Sequence, residues 1–292
     1  MSDARLNQIQ CLGARGLRRM AYWEWGEPGN PRVLVCAHGL TRQGRDFDTL
    51  AQALSGTYRV VCPDVVGRGR SDWLTDPAGY QVPAYVADMV TLLARLDART
   101  LHWVGTSMGG LIGMGLASLA DSPIERLVLN DVGPALRFEA LQRIGSYVGQ
   151  PLRWRSVDEA ADYLATISAG FGPHTREQWL ALSRPMLKTD GDAVVLHYDP
   201  AIGQGFKGLT PELVAAGEAM SWAAYDAIRC PTLVLRGADS DLLSRQTAQA
   251  MTQRGPKARC VEFAGVGHAP TLIANDQVAA VRDFLLEPAP SP

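Results

Sequence analysis

The sequence predicts an α/β fold with a doubly wound, mostly parallel sheet, and three observations favour it. Short apolar runs rich in β-branched residues recur along the chain, as expected of parallel strands buried on both faces. Helical patterns lie between most of these runs, and such alternation is typical of a doubly wound sheet. The 292 residues, 47% of them hydrophobic, are enough to bury one large core.

Each element of this fold can be assigned to a segment. Six runs are predicted to be strands: PRVLVCAHG, YRVVCPD, LHWVGTS, IERLVLND, CPTLVLRGADSD and ARCVEFAGVGH. Four segments are predicted to be the intervening helices: DFDTLAQALS, VPAYVADMVTLLARLD, SMGGLIGMGLASLA and DQVAAVRDFLLE. The two leading segments, LNQIQCL and RRMAYWEWG, are predicted to form an antiparallel hairpin at one edge of the sheet.

The alternation is interrupted between about Pro134 and Asp226, where the pattern is mostly helical and contains no buried strand. A stretch of this length is too long for a loop. The sequence therefore predicts a core domain formed by residues 1–133 and 227–292, with an inserted helical subdomain at 134–226. Ten of the chain's aromatic residues fall in the insertion, and we expect a minority of them to line an apolar pocket.

Composition excludes several classes of partner. A formal net charge of −2 offers no attraction to nucleic acid or to an anionic membrane surface. No apolar stretch approaches the roughly 18 residues of a membrane span, and the first residues lack the apolar core of a secretory signal. The five cysteines are dispersed, without a Cys-x-x-Cys pair, which favours buried reduced thiols over disulfides or metal ligands. We expect a cytoplasmic monomer or homodimer without a metal.

The stretch GTSMGG, residues 105–110, places a serine among glycines at a predicted strand-to-helix junction. Glycine costs backbone entropy in a regular element, so this cluster needs a geometric reason. Gly-x-Ser-x-Gly in this context forms a sharp, strained turn that projects the serine hydroxyl above the sheet. We therefore predict that Ser107 is a nucleophile, and that Gly105 and Gly109 are glycines because a side chain would not fit there.

A serine nucleophile needs a base, and the base needs a third group to hold it. The chain offers five histidines: His38, His102, His174, His197 and His268. His268 follows the last predicted strand in the glycine-rich loop FAGVGHAP. Because the carboxyl ends of parallel strands meet at one edge of a sheet, His268 is the predicted base.

Three aspartates follow predicted strands and could hold the histidine. The segment LVLRGADSDLL supplies Asp239 and Asp241, and LVLN is followed by Asp131. Asp241 is favoured because it directly precedes the apolar pair Leu242 and Leu243, while Asp239 should fall within the turn. Asp131 stays open as a third candidate because its strand ends on the same edge.

Together these motifs resemble the α/β-hydrolase fold superfamily over essentially the whole chain. The order Ser107, Asp241, His268 matches that family's order of nucleophile, acid and base. The HGL after the third strand resembles the family's oxyanion-hole segment, which implies the amides of Leu40 and Met108 as the two donors. The inserted helices correspond to the family's cap, or lid.

Other segments place the chain within the superfamily. PDVVGRGRSDW resembles the glycine-rich turn after the fourth strand, which implies structural roles for Asp64 and Arg68. Epoxide hydrolases and haloalkane dehalogenases carry an aspartate where this chain has Ser107, and the HGGG of some esterases is replaced by HGLT. The SMGG variant is shared by small esterases, lactonases, perhydrolases and C–C-bond hydrolases, and does not choose between them.

The resemblance implies a serine hydrolase without cofactor that cleaves carboxylic esters, or lactones, of small and largely apolar substrates. Two alternatives stay open: a C–C-bond hydrolase of the same superfamily, and a non-catalytic small-molecule receptor on this fold. Dinucleotide binding is not expected, because VGRGRSD lacks the third glycine at the needed spacing.

Overall fold

The computed structural model of the chain describes residues 4–288, and an eight-stranded sheet forms its centre. The strands are β1 (Arg5–Gly13), β2 (Gly16–Trp25), β3 (Arg32–Ala37), β4 (Arg59–Pro63), β5 (Thr100–Thr106), β6 (Ile124–Asn130), β10 (Thr232–Gly237) and β11 (Arg259–Phe263). Their order is β1-β2-β4-β3-β5-β6-β10-β11. The first two form the predicted antiparallel hairpin at one edge, and all strands from β4 to β11 pair in parallel. The predicted doubly wound, mostly parallel sheet is confirmed.

Strand β3 shows why the sequence reads as continuous apolar runs. Val33 and Val35 pack into the core on one face of the sheet, and Leu34 and Cys36 pack into the core on the other. All four side chains are fully buried. A strand covered on both faces has no polar side to show, so alternation disappears from its sequence.

Helices cover both faces of the sheet. On one face lie α1 (Asp48–Leu54) and α9 (Asn275–Leu286), and on the other lie α2 (Val82–Leu96), α3 (Met108–Ala117) and α8 (Arg245–Met251). Only α8 lacks a counterpart among the predicted helices; it begins at Ser244, whose hydroxyl accepts a hydrogen bond from the Thr247 amide. Within residues 4–288 no helix is both long enough and apolar enough to cross a membrane.

Between β6 and β10 the chain forms four helices and a second, smaller sheet. The helices are α4 (Phe138–Tyr147), α5 (Val157–Ile167), α6 (Arg176–Ser183) and α7 (Pro211–Ala227). The sheet is antiparallel, with the order β7 (Arg153–Trp154), β9 (Ala193–Leu196), β8 (Leu187–Asp190). The sequence predicted a mostly helical segment without a buried strand, and this small sheet was not anticipated. Strands of two to four residues, with β8 and β9 at most half-buried, leave no continuous apolar run to detect.

The sequence favoured buried thiols, and three of the five cysteines are buried. Cys11, Cys36 and Cys62 are buried, Cys230 is half-buried, and all five are free. Cys260 is exposed, so the expectation of burial is wrong there. It lies on β11, the last strand of the sheet, where one side of the strand has no neighbour.

His102, on β5, is buried and linked to the far end of the chain. Its Nδ1 lies 2.9 Å from the Tyr58 hydroxyl, which donates a hydrogen bond to the Leu285 carbonyl at 2.9 Å. Burial lowers the pKa of His102 to about 4, and the Arg126 and Arg32 guanidinium groups add to this effect. The folded protein therefore holds His102 neutral at a pH where the unfolded chain binds a proton.

We expect the free energy of unfolding to fall as pH decreases from about 6.5 towards 4, with His102 contributing about 1.4 kcal/mol per pH unit. The sign follows because the unfolded state binds one more proton in this window, so stability rises with pH. Urea unfolding at pH 7, 6 and 5 measures the slope in the wild type and in His102→Gln. In the variant, the change in unfolding free energy per pH unit should be smaller by the contribution of one proton, whatever its stability at pH 7. An unchanged slope would mean that His102 is not held neutral in the folded protein.

Candidate active site

Ser107 lies on the turn between β5 and α3 with a backbone conformation that few side chains adopt. Its φ is 52° and its ψ is −116°. A positive φ in a residue other than glycine is strained, and it persists only where the surrounding structure holds it. Here the Ser107 amide donates to the Asn130 carbonyl on β6 at 3.0 Å, and the Ser107 carbonyl accepts from the Gly110 amide at 2.8 Å. The turn is therefore fixed from the neighbouring strand and from the helix.

The glycines beside Ser107 have no room for a side chain. A Cβ on Gly105 would lie 2.2 Å from the Gly109 carbonyl oxygen, and a Cβ on Gly109 would lie 1.9 Å from the Ala37 carbonyl oxygen. Strand, turn and helix approach one another too closely for alanine. This is the geometric reason that the glycine cluster predicts.

The structure brings His268 to Ser107. The His268 Nε2 lies 2.9 Å from the Ser107 Oγ, and the imidazole is mostly buried. The loop that carries His268 is tied to the sheet by Asn130, whose Nδ2 donates to the Pro270 carbonyl at 2.8 Å and to the Thr106 Oγ1 at 2.9 Å. One buried amide thus connects the histidine loop, β6 and the strand that leads into the serine.

The carboxylate at His268 is Asp131, not the favoured Asp241. The Asp131 Oδ2 lies 2.7 Å from the His268 Nδ1, and the same oxygen accepts from the Ser240 hydroxyl at 2.6 Å. The other oxygen, Oδ1, accepts from the Gly237 amide at 2.8 Å. Asp131 is fully buried, so each hydrogen bond satisfies a carboxylate oxygen that water does not reach.

Asp241 and Asp239 face elsewhere because of the turn after β10. Asp241 forms a bidentate ion pair with Arg143 of α4, with its two oxygens 2.6 and 2.9 Å from the guanidinium nitrogens, and Asp239 is exposed. Ser240, between them, points inward, and its oxygen accepts from the amides of Leu242 and Leu243. Both leucines are buried as expected, but they anchor the hydroxyl of Ser240 rather than the carboxylate of Asp241.

The two predicted oxyanion donors lie in segments that a single arginine connects. Met108 is the first residue of α3, so its amide has no acceptor within the helix. Leu40 follows β3, and its carbonyl accepts from the Arg68 Nε at 2.7 Å. The Arg68 Nη1 donates to the Tyr85 hydroxyl at 3.0 Å, and Nη2 lies 3.4 Å from the Met108 Sδ. Arg68 is fully buried, and this positioning role was not recognised in the sequence beyond a general structural one.

His38 is held neutral in the wall beside this site. Its Nε2 accepts from the Val65 amide at 3.0 Å, which leaves Nδ1 to donate to the Gly39 carbonyl at 2.7 Å. Burial lowers the pKa of His38 to about 3. This side chain therefore fixes the segment before Leu40 and is not a base.

Asp64 has the structural role that its motif implies. Its carboxylate accepts from the amides of Gly44 and Arg70, both at 2.8 Å. Burial raises the pKa of Asp64 to about 6, although these hydrogen bonds oppose the shift. The side chain therefore connects the loop after β3 to the turn after β4.

A cavity of about 440 Å³ opens above Ser107. Ser107, His268 and Leu40 lie at its base, and most of its upper wall comes from the segment between β6 and β10. Three of the ten aromatic residues of that segment line it, and its apolar lining includes Ile144, Tyr147, Val148, Leu152, Leu164, Ile167, Phe171, Met186, Leu196 and Tyr198. A largely apolar cleft with a few polar groups at one end is typical of small-molecule sites. Within residues 4–288 no group of three or more His, Cys, Asp or Glu side chains could hold a metal ion.

A family model described as alpha/beta hydrolase fold matches residues 32–273. The chain belongs to the alpha/beta hydrolase fold family. This alpha/beta hydrolase is 57% identical to the 3-hydroxybutyrate-oligomer hydrolase of Cupriavidus necator, over 97% of this chain and 98% of that protein. Family membership confirms the predicted superfamily, and together with the 57% identical relative it supports the predicted hydrolase of ester bonds.

Solved structures agree with this assignment along the whole alpha/beta hydrolase chain. An alpha/beta hydrolase from Novosphingobium aromaticivorans superposes with a TM-score of 0.85 at 36% identity, over 98% of this chain and 99% of that one. A putative hydrolase from Rickettsia typhi superposes with a TM-score of 0.88 at 29% identity, over 98% and 100%. The likeness therefore includes the segment between β6 and β10.

Proposed function

We propose that this chain hydrolyses the ester bonds of short 3-hydroxybutyrate oligomers through an acyl-enzyme on Ser107. The observation that carries the chemistry is the hydrogen-bonded series Ser107, His268 and Asp131 at the base of an apolar cavity. Ester hydrolysis as such also agrees with the chain's family and with its 57% identical relative.

In the proposed acylation step, Asp131 keeps the His268 proton on Nδ1, so that Nε2 accepts the proton of Ser107. The serine oxygen attacks the ester carbonyl carbon, and the protonated imidazole beside the buried Asp131 carboxylate is stabilised by its charge. The amides of Leu40 and Met108 donate to the oxyanion. The carbon–oxygen bond to the alcohol then breaks, and His268 returns its proton to the leaving alcohol.

Deacylation repeats this sequence with water. His268 takes a proton from a water molecule, whose oxygen attacks the acyl carbon, and the Ser107 oxygen leaves with the proton that His268 returns. The free acid and the resting serine result. No step needs a redox change, and the reacting groups are those of this chain, the ester and water.

Two observations support a short hydroxyalkanoate oligomer as the substrate. The relative in Cupriavidus necator is named for 3-hydroxybutyrate oligomers, and it matches this chain over nearly its full length. The cavity is apolar along its upper wall, which suits the methyl-bearing backbone of such an oligomer, and its size is in the lower half of the range for small-ligand pockets. The inserted segment at 134–226 acts in this proposal as the cap that shapes the pocket.

We expect the purified protein to release 3-hydroxybutyrate from the linear dimer and trimer of 3-hydroxybutyrate, because Ser107 lines a largely apolar cavity of about 440 Å³. Release of the monomer is measured over time, beside hydrolysis of p-nitrophenyl butyrate. Hydrolysis of the nitrophenyl ester without hydrolysis of either oligomer would retain the esterase chemistry and reject the substrate. Turnover of neither would reject the proposal and favour a receptor on this fold.

A further inference from the structure

Two arginines line the cavity above Ser107, and the structure uses them differently. Arg42 is mostly buried and its Nε and Nη2 are held by Asp46 at 2.5 and 2.7 Å. Arg143, on α4, pairs with Asp241, and 45% of each side chain is exposed. The charge of Arg42 is neutralised inside the protein, whereas Arg143 lines the cavity and its side chain is in contact with solvent.

The pair between Arg143 and Asp241 is open to exchange of its partner. Each side chain is 45% exposed, so a second carboxylate can approach from solvent and replace one charge-assisted, two-bond contact by another. The bonds to Asp241 use Nε and Nη2 of the guanidinium, and the guanidinium also interacts with the Tyr147 hydroxyl. Tyr147 also lines the cavity, and although burial raises its pKa, the neighbouring Arg143 guanidinium acts against that shift.

The proposed substrate carries an anion that an arginine of the cavity lining could bind. In a linear hydroxyacid oligomer, the free carboxylate lies on the alcohol side of every ester bond, and the free hydroxyl lies on the acyl side. The carboxylate therefore belongs to the leaving group in every cleavage. An arginine binds a carboxylate through two parallel hydrogen bonds, which fixes its direction as well as its position.

We infer that Arg143 binds the free carboxylate of the oligomer and so selects acidic leaving groups; this inference rests on the proposed function. The carboxylate displaces Asp241 from Arg143 and takes its place on the guanidinium. Asp239 and Asp241 lie on the same part of the cavity wall and repel an anion. Without Arg143 the entrance would therefore disfavour this substrate actively.

The test compares kcat/KM for the 3-hydroxybutyrate dimer with kcat/KM for its methyl ester, which has the same ester bond but no carboxylate. In Arg143→Gln the ratio of acid to methyl ester should fall about 10- to 100-fold, the range for a hydrogen bond between charged groups. Arg143→Lys keeps the charge but not the two parallel hydrogen bonds, so its ratio should lie between that of the wild type and that of Arg143→Gln. Asp241→Asn removes the competing carboxylate and should raise the ratio.

Arg153→Gln is the matched control, because Arg153 forms a similarly exposed ion pair with Asp190 in the same inserted segment, away from the cavity lining. Its ratio should equal that of the wild type. Higher salt should lower the wild-type ratio and have less effect in Arg143→Gln, because screening weakens only a charge contact.

Three results would overturn the inference, and they are distinguishable from one another. If the wild type hydrolyses the dimer and Arg143→Gln leaves the ratio unchanged, Arg143 does not bind the carboxylate, and the proposed function stands. If the wild type hydrolyses neither the dimer nor its methyl ester, both the function and the inference are wrong. A wild type that cleaves the methyl ester alone also overturns the inference, because the entrance then rejects the acid.

Discussion

Ser107→Ala is expected to lower kcat for p-nitrophenyl butyrate by about five to six orders of magnitude. Alanine leaves no oxygen to attack the carbonyl carbon, so no acyl-enzyme forms, while the cavity and the two backbone amides persist. The strained turn keeps its Cβ, and the fold should be retained. Steady-state kinetics and circular dichroism of the two proteins measure the loss of activity and the integrity of the fold.

Ser118→Ala is the matched control for this substitution. Ser118 directly follows the last residue of the same helix. Its hydroxyl donates to the Gly115 carbonyl at 2.8 Å, and it is not among the residues that line the cavity. Its kcat should stay close to that of the wild type. A fluorophosphonate should label the wild type at Ser107 alone. Activity in Ser107→Ala within about tenfold of the wild type would mean that another group attacks the ester.

Asp131→Asn is expected to lower kcat by about four orders of magnitude, as an uncharged amide no longer fixes the histidine tautomer. The structural reason is the 2.7 Å contact between the Asp131 Oδ2 and the His268 Nδ1. An asparagine amide turned towards Nδ1 would donate to it, which would move the histidine proton to Nε2 and block the acceptance of the serine proton. The kinetics on p-nitrophenyl butyrate measure this loss.

Asp241→Asn and Asp239→Asn are the matched controls, and on this neutral ester both should stay within about threefold of the wild type, since Asp241 pairs with Arg143 and Asp239 is exposed, so neither holds His268. The order of the three variants is decisive. A crippled Asp241→Asn beside a nearly normal Asp131→Asn would mean that the turn after β10 rearranges in solution to bring Asp241 to His268.

The sequence could predict the sheet because its evidence is local and repeated. Strands such as β3 are apolar on both faces, and the glycines around Ser107 record a close approach of backbones that no other residue permits. The inserted sheet was missed for the opposite reason. Its hairpin carries one local signal, Gly191 with a φ of 60° between two aspartates, but its strands are short and half-buried.

The choice between Asp131 and Asp241 depended on facts that a single sequence does not contain. Three consecutive residues in a turn cannot all face inward, and neither composition nor spacing tells which of Asp239, Ser240 and Asp241 does so. The strand order is equally hidden. Because β6 lies between β5 and β10, Asp131 follows the strand directly beside that of Ser107. Leu242 and Leu243 are buried as the sequence predicted, but their amides bond to the Ser240 hydroxyl rather than fixing Asp241.

The position of the inserted segment has a consequence for how such an enzyme can change. Ser107 and Asp131 precede the segment, His268 follows it, and Arg143 lies within it. In the proposed reaction, the groups that break the ester bond therefore lie outside the segment whose Arg143 we infer to bind the leaving group. We expect exchange of residues 134–226 for the equivalent segment of another alpha/beta hydrolase to change substrate preference while Ser107, His268 and Asp131 keep their contacts. The junction beside Asp131 should be the position most sensitive to this exchange.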